Sequence, residues 1–329
     1  MTNYMDIAGL FAGLGLLLAG GSILVRGASD LAKSLGVSSL VIGLTVVAFG
    51  TSAPELAVNL LASYDGNTDI SFGNIIGSNI ANIGLILGLA ALIKPLTISS
   101  AIITREIPMM VLASVVVLIL ASDQVLKMSP NGFDRSDGLI FLMVFSVFMY
   151  YTVSEVFRNR NQDSLITQAE ASSGQRQVKK TLISLVYTLV GLVLLIAGGK
   201  ISVSNATNLA QSLGIPQVII ALTVVAIGTS LPELITSLIA TWKGQTDLAI
   251  GNVVGSNIFN LLLINGVSAS YKTIPLPTSG GFFDLYVMIF LSVLLLMICI
   301  TDQKRIVRWE GGLLLGLYLA YSVIRVTWL

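Results

Sequence analysis

A carboxylate and a proline sit side by side in the middle of an apolar run, and they do so twice. Thr45-Val46-Val47-Ala48-Phe49-Gly50-Thr51-Ser52-Ala53-Pro54-Glu55-Leu56 interrupts a stretch that is otherwise apolar from Leu40 to Ala62. A charge at bilayer depth costs at least about 2.5–3.5 kcal/mol on insertion scales, so a carboxylate kept there points to a site. Thr223-Val224-Val225-Ala226-Ile227-Gly228-Thr229-Ser230-Leu231-Pro232-Glu233-Leu234 repeats the pattern at an offset of 233 − 55 = 178. The same offset maps Asp69 onto Asp247, Asn74 onto Asn252, Ser78 onto Ser256 and Asn82 onto Asn260. Two gapless copies of one polar constellation imply one composite site.

The chain has the composition that a bilayer demands. Of 329 residues, 54% are hydrophobic and 11% charged, against about 25% charged in soluble proteins; the mean hydropathy is +0.88. The net charge of +1 gives no basic field for nucleic acid. One cysteine, Cys299, excludes an intrachain disulfide and any cysteine-cluster metal site, and the absence of His removes the usual transition-metal ligand and proton carrier. Met1 to Asp6 carries no Lys or Arg, so the first apolar segment lacks the basic flank of a secretory signal and reads as a retained helix.

Windows of roughly 20 apolar residues, enough to span a bilayer, fall at about 7–25, 39–64, 71–93, 107–122, 137–157, 181–199, 216–242, 249–270, 283–300 and 311–328. The expected fold is therefore an all-α multi-pass membrane protein with ten transmembrane helices. Residues 1–157 form a first five-helix repeat, 158–180 a polar cytoplasmic linker, and 181–329 a second repeat. Gly50 and Pro54, like Gly228 and Pro232, interrupt the second and seventh segments, and glycines pepper the third and eighth. Each proline lacks the N–H that would bond the carbonyl four residues back, so these core helices break and release backbone oxygen. Lys and Arg divide about 13 to 5 between the two sides, which places the linker in the cytoplasm and both termini outside. Because five is odd, the second repeat enters the membrane inverted, the architecture in which secondary transporters hold substrate near the midplane.

Among 17 acidic residues, only Glu55 and Glu233 lie mid-span. On a continuous helix Thr51 and Ser52 share a face with Glu55, as Thr229 and Ser230 do with Glu233. The following segment adds Ser78 and Asn82, matched by Ser256 and Asn260. Every one of these donors is an oxygen, the preference of hard cations such as Na⁺ and Ca²⁺. A purely structural alternative exists, since Ser52-Ala53-Pro54-Glu55 and Ser230-Leu231-Pro232-Glu233 both fit a capping box with Pro in the first turn. A neutral Gln would cap as well without the burial cost of a charge. The glycines equally fit close helix packing.

These residues carry a family resemblance. Gly50-Thr51-Ser52-Ala53-Pro54-Glu55 with Gly73-Asn74-Ile75-Ile76-Gly77-Ser78-Asn79-Ile80-Ala81-Asn82, echoed by Gly228 to Glu233 with Gly251 to Asn260, resembles the two alpha-repeats of the sodium/calcium exchanger family. The resemblance implies ten helices around central cation sites. It implies that Glu55 and Glu233 bind Ca²⁺ with the carbonyls of Thr51 and Thr229. Na⁺ would use Ala48, Thr51, Ser52 and Ser78 with Ala226, Thr229, Ser230 and Ser256, while Asn82 and Asn260 complete the ring. Potassium-dependent relatives carry Asp at the position of Asn260, so the resemblance implies no potassium coupling here. The short linker also contrasts with the long regulatory insertion of animal exchangers.

The expected activity is antiport of Na⁺ against Ca²⁺ across the plasma membrane (the inner membrane of the cell) by alternating access, with no enzymatic chemistry and no cofactor beyond the transported ions. The expected partners are those ions and the lipid bilayer. The alternatives are a proton-coupled calcium exchanger using the same carboxylates, for which burial would raise their pKa, and a cation channel. The many neutral oxygens speak against the first and the inverted repeat against the second.

Overall fold

The structure, a computed structural model, describes residues 2–126, 128–163, 174–213, 226–301 and 304–327. Its helices are α1 (Thr2–Leu35), α2 (Ser39–Thr51) and α3 (Ala53–Asp65), α4 (Thr68–Ile93) and α5 (Ile102–Ala121). They continue as α6 (Arg135–Asp163), α7 (Gly174–Ser212), α8 (Ala226–Thr229), α9 (Leu231–Trp242), α10 (Thr246–Tyr271), α11 (Gly281–Thr301) and α12 (Arg308–Thr327). Four two-residue strands, β1 (Leu96–Thr97), β2 (Gly132–Phe133), β3 (Ile274–Pro275) and β4 (Arg305–Ile306), and a single helical turn at Asp123–Leu126 complete the regular elements among the described residues.

This is a multi-pass membrane protein. Among the described residues seven helices are long and apolar enough to cross a bilayer, and the broken pair of α2 and α3 raises the number to eight. The first part of the expected window 216–242 lies outside the described residues, and the last window corresponds to α12. The flanks of the expected linker are helical, α6 running to Asp163 and α7 beginning at Gly174. Polar residues can extend a membrane helix into water, which a hydropathy window does not register. Residues 164–173 lie outside the description.

The chain divides into two compact units, each drawing on both halves of the sequence. One comprises Met1–Thr51 and Met149–Asn252. Its spine is the antiparallel pair of α1 and α7, 34 and 39 residues long, well beyond the roughly 20 needed to span. Gly13, Gly20 and Gly27 recur every seven residues along α1 and meet Gly198, Leu195 and Thr188 of α7. A Cβ on Gly20 would lie 2.8 Å from the Leu195 amide nitrogen, and one on Gly198 would lie 2.8 Å from the Gly13 carbonyl oxygen. Only glycine lets the backbones come that close. Leu17, Leu24 and Leu195 fill the seam and are fully buried. Arg26, just beyond the first apolar window of 7–25, continues α1 with its guanidinium 5.8 Å above the Tyr187 ring.

The other unit comprises Ser52–Phe148 and Val253–Leu329. Its contacts are duplicated. β1 pairs antiparallel with β4, Leu96 opposite Ile306, and β2 pairs with β3, Phe133 opposite Ile274. Shifting Leu96 by 178 gives Ile274, and shifting Phe133 by 173 gives Ile306, so the two pairings are images of each other under the internal repeat. The five-residue difference in offset is absorbed before β2. Glycine contacts follow the same rule: Gly88 of α4 packs on Gly311 of α12, and Gly266 of α10 packs on Gly138 of α6. Ser114 and Ser292, themselves 178 apart, face each other at 3.5 Å.

Candidate cation site

Helix breaks position both carboxylates. α2 stops at Thr51, Ser52 takes a non-helical conformation, and α3 restarts with Pro54 in its first turn and Glu55 at its third position. Ser230, Pro232 and Glu233 do the same at the start of α9. The backbone angles agree closely, φ −83° and ψ 4° at Ser52 against φ −88° and ψ 6° at Ser230. Neither serine side chain makes a cap hydrogen bond, so the reciprocal capping box does not form. Glu55 and Glu233 are each 1% exposed, and each stands where the positive end of a helix dipole favours an anion. Both half-helices end alike, on left-handed Gly66 and Gly244 at φ 81° and 76°, a conformation that Cβ disfavours.

The break changes one expectation. Thr51 and Glu55 lie on different helices, so regular helical spacing does not relate them. Thr51 instead donates its hydroxyl to the Ala48 carbonyl at 3.3 Å and to Oδ1 of Asn252 at 3.0 Å. Asn252 donates to Oγ of Ser237 at 3.0 Å and to the Glu233 carbonyl at 3.4 Å. One fully buried amide thus ties α2 and α9 to α10. The approach needs Gly43 and Gly251: a Cβ on Gly43 would stand 2.9 Å from the Leu248 carbonyl oxygen, and one on Gly251 would stand 3.0 Å from that of Leu40. Ala48, Thr51 and Ser230 are buried and Thr229 half-buried in this unit; Ala226 opens α8, where only its backbone is described.

In the other unit the structure brings together Ser78, Asn82 and Asn260. Asn260 donates to Oγ of Ser78 at 3.0 Å, and Asn82 donates to Oδ1 of Asn257 at 2.9 Å. Ser78 passes its own proton to the Asn74 carbonyl at 2.7 Å. Each amide nitrogen is therefore used inward, and Oδ1 of Asn82 and of Asn260 are buried oxygens that accept no hydrogen bond from a described residue. Buried acceptors are otherwise nearly always satisfied, and a hard cation takes such oxygens. Both asparagines lie in π-helical stretches, Asn82–Leu87 and Phe259–Ile264, a widened turn that recurs at functional sites. Ser52 and Ser256 are buried in the same unit. Asn59 donates to the Glu55 carbonyl at 2.7 Å and accepts from Ser71 at 2.9 Å, steadying the turn after the carboxylate.

Asn252 and Asn257 enter the sequence reading only as repeat and motif positions, yet they hold Thr51 and Asn82. Their signal was an amide inside an apolar helix, which must find an interior partner. Other acidic side chains are also buried, but close to helix starts. Glu310 accepts from the Val307 amide at 2.9 Å, Asp137 from that of Asp134 at 2.9 Å, and Asp284 pairs with Arg325 at 3.3 Å and Tyr321 at 3.0 Å. They serve as caps and clamps, unlike the two carboxylates at the helix breaks.

Comparison with known proteins fits this arrangement. The profile of the sodium/calcium exchanger protein family matches residues 5–154 and 183–327. The chain belongs to the sodium/calcium exchanger family. Among relatives of this exchanger, the putative antiporter CaxA of Alkalimonas amylolytica is 37% identical over 97% of this chain and 99% of its own. The sodium/calcium exchanger MaX1 of Methanosarcina acetivorans is 35% identical over 96% and 97%. A solved structure of the sodium-calcium exchanger NCX_Mj superposes with a TM-score of 0.83 at 32% identity, covering 98% of this exchanger and 99% of that chain.

Proposed function

We propose that this exchanger moves Ca²⁺ in one direction against Na⁺ in the other by alternating access at a site near the bilayer midplane. It is a transporter and not an enzyme, and the ions are its substrates. The observation that carries the reading is the matched pair of Glu55 and Glu233, each 1% exposed at the third position of a restarted half-helix. Glu55 and Glu233 hold Ca²⁺ together with the carbonyls of Thr51 and Thr229. Na⁺ uses Ala48, Thr51, Ser52 and Ser78 with Ala226, Thr229, Ser230 and Ser256, and Asn82 and Asn260 close the ring. Two carboxylates neutralise one Ca²⁺, whereas several Na⁺ spread over a wider set of oxygens. The two loads compete for the same ligands, and coupling follows from that competition.

The chain crosses the plasma membrane ten times as two inverted five-helix repeats, 1–157 and 181–329, with a cytoplasmic linker at 158–180 and both termini outside. The exchange of contacts between β1–β4 and β2–β3 supports the repeat, and the Lys and Arg asymmetry supports the orientation. The test is ⁴⁵Ca²⁺ uptake into proteoliposomes preloaded with Na⁺, with K⁺, or with a proton gradient. Uptake driven by outward Na⁺ alone is expected. Uptake that follows the proton gradient and ignores Na⁺ would overturn the reading in favour of proton coupling, and uptake without any counter-ion would favour a channel.

A further inference from the structure

Between α3 and the last two turns of α10 lies a buried seam that is polar with no protein partner to explain it. The buried stripe of α3 is Glu55, Asn59, Ala62 and Ser63. Tyr64 of α3 stacks on Tyr271 of α10 with ring centroids 6.4 Å apart, which brings the ends of the two helices together. Ser63, Asn265 and Ser268 are 0% exposed. No described residue hydrogen-bonds to Oγ of Ser63, to Oδ1 or Nδ2 of Asn265, or to Oγ of Ser268. Four orphaned polar atoms on two helices whose ends meet cannot be a packing accident of one side chain, since buried polar groups are overwhelmingly satisfied. A polar seam of this kind is the setting in which buried water supplies the missing bonds.

The repeat shows that the polar groups on the facing helix belong to one half only. Asn265 and Ser268 correspond at the 178 offset to Leu87 and Ala90, both buried and apolar. Ser63 corresponds to Thr241, so the half-helix keeps its hydroxyl in both copies while the facing helix does not. The Thr241 hydroxyl is likewise buried with no described partner, so the orphaned hydroxyl recurs in both halves and it is the amide at Asn265 that departs from the repeat.

We propose that this seam is a file of water that links Glu55 to the membrane face where Gly66 and Lys272 lie, and through which a partly hydrated cation reaches the carboxylate. The groups inside it, from Asn59 through Ser63, Asn265 and Ser268, are neutral and offer oxygens that replace lost hydration without trapping the ion, while the Lys272 ammonium stands at its outer end, 2.9 Å from where a Cβ on Gly66 would lie. Its outer end is spanned by the Tyr64–Tyr271 stack, 72% and 60% exposed. Access from that face is hydrated, whereas the matching positions of the other half are sealed by Leu87 and Ala90. The inference rests on the cation site proposed above but concerns its route of access.

The experiment uses the full chain in vesicles on a Cys299→Ser background. Ser63→Cys and Ser268→Cys, which change one atom each, should react with a small cationic methanethiosulfonate reagent added on the Gly66 side, and Ala90→Cys should not react from either side. Failure of both seam cysteines to react, in protein that still exchanges, would overturn the proposal. Thiol labelling needs no transport, so it reads the seam even were the transported ions different. A second arm replaces the seam by the residues of the other half, Asn265→Leu with Ser268→Ala. Ca²⁺ uptake from the Gly66 side at sub-saturating concentration should fall several-fold while the equilibrium affinity for Ca²⁺, titrated in detergent, stays as it was. An unchanged uptake rate, or an affinity lost in step with the rate, would contradict a role in access.

Discussion

The amide of Asn252 is the tie whose removal can be worked through most fully. It is fully buried, accepts from Thr51 at 3.0 Å, donates to Ser237 at 3.0 Å and reaches the Glu233 carbonyl at 3.4 Å. Asn252→Leu keeps the volume and removes all three. Two well-formed bonds contribute about 1 kcal/mol each, and stranding the Ser237 hydroxyl in an apolar interior adds about 1–3 kcal/mol. Thr51 retains the Ala48 carbonyl at 3.3 Å, which limits its share. The expected loss is therefore about 3–5 kcal/mol. Thr51→Val alone removes a single hydroxyl proton shared between the Ala48 carbonyl and Asn252, and should cost about 1–2 kcal/mol. If the two residues bond as described, the double variant loses less than the sum, with a coupling of about 1 kcal/mol. Equilibrium unfolding of the four proteins in mixed detergent micelles without Na⁺ or Ca²⁺ measures this. Losses that simply add, or an Asn252→Leu protein within about 0.5 kcal/mol of the parent, would refute the tie.

Other consequences are as direct. On a Cys299→Ser background, Asn67→Cys should be labelled by an impermeant thiol reagent only from outside and Gln245→Cys only from inside; equal labelling of both would rule out the inverted arrangement. With Asn82 and Asn260 in the ring the proposed site has two carboxylates, so Na⁺-driven Ca²⁺ flux should not change when K⁺ replaces an inert organic cation. Asn260→Asp adds a carboxylate and should make room for one further monovalent cation or proton; a strong K⁺ requirement in the parent would show that the charge balance is wrong. Gly20→Leu drives a side chain into the Leu195 backbone, 2.8 Å from where its Cβ would sit, and should destabilise by about 3 kcal/mol. Gly316→Ala meets nothing within 4 Å and should be neutral or slightly stabilising in the same equilibrium unfolding measurement.

The placement of Glu55 and Glu233 was legible because the signal is local and costly: a charge beside a proline inside an apolar run, printed twice. The helix break at Ser52 was legible for the same reason, since Pro54 removes a specific donor. The consequence for Thr51 was not. Spacing along a continuous helix puts it beside Glu55, but the break moves it to another helix and gives it Asn252, a partner 201 residues away. Asn257 was missed likewise, because nothing local says which amide will hold Asn82. The glycines of α1 stood in plain view at intervals of seven, yet their meaning needs α7, whose Gly198 and Thr188 complete the contact. The charged ends of α1 and α6 read as segment boundaries because hydropathy reports the lipid-facing length of a helix and is blind to its continuation in water.

The central claim is that two buried carboxylates share one Ca²⁺, and calorimetric Ca²⁺ binding to Glu55→Gln and Glu233→Gln tests it most directly. Gln keeps the shape, and a side chain able to cap the helix, while removing one of the two charges that compensate the ion. A unit charge pair at about 4 Å contributes about 4 kcal/mol at an effective dielectric constant of 20. Even after allowing for the carboxylate's own desolvation, about 3 kcal/mol should be lost, roughly a hundredfold in Kd. Each single variant should therefore lose Ca²⁺ binding by about that factor while remaining folded. Parental Ca²⁺ affinity in either one would contradict the shared site and return that glutamate to a purely structural role at the start of its helix.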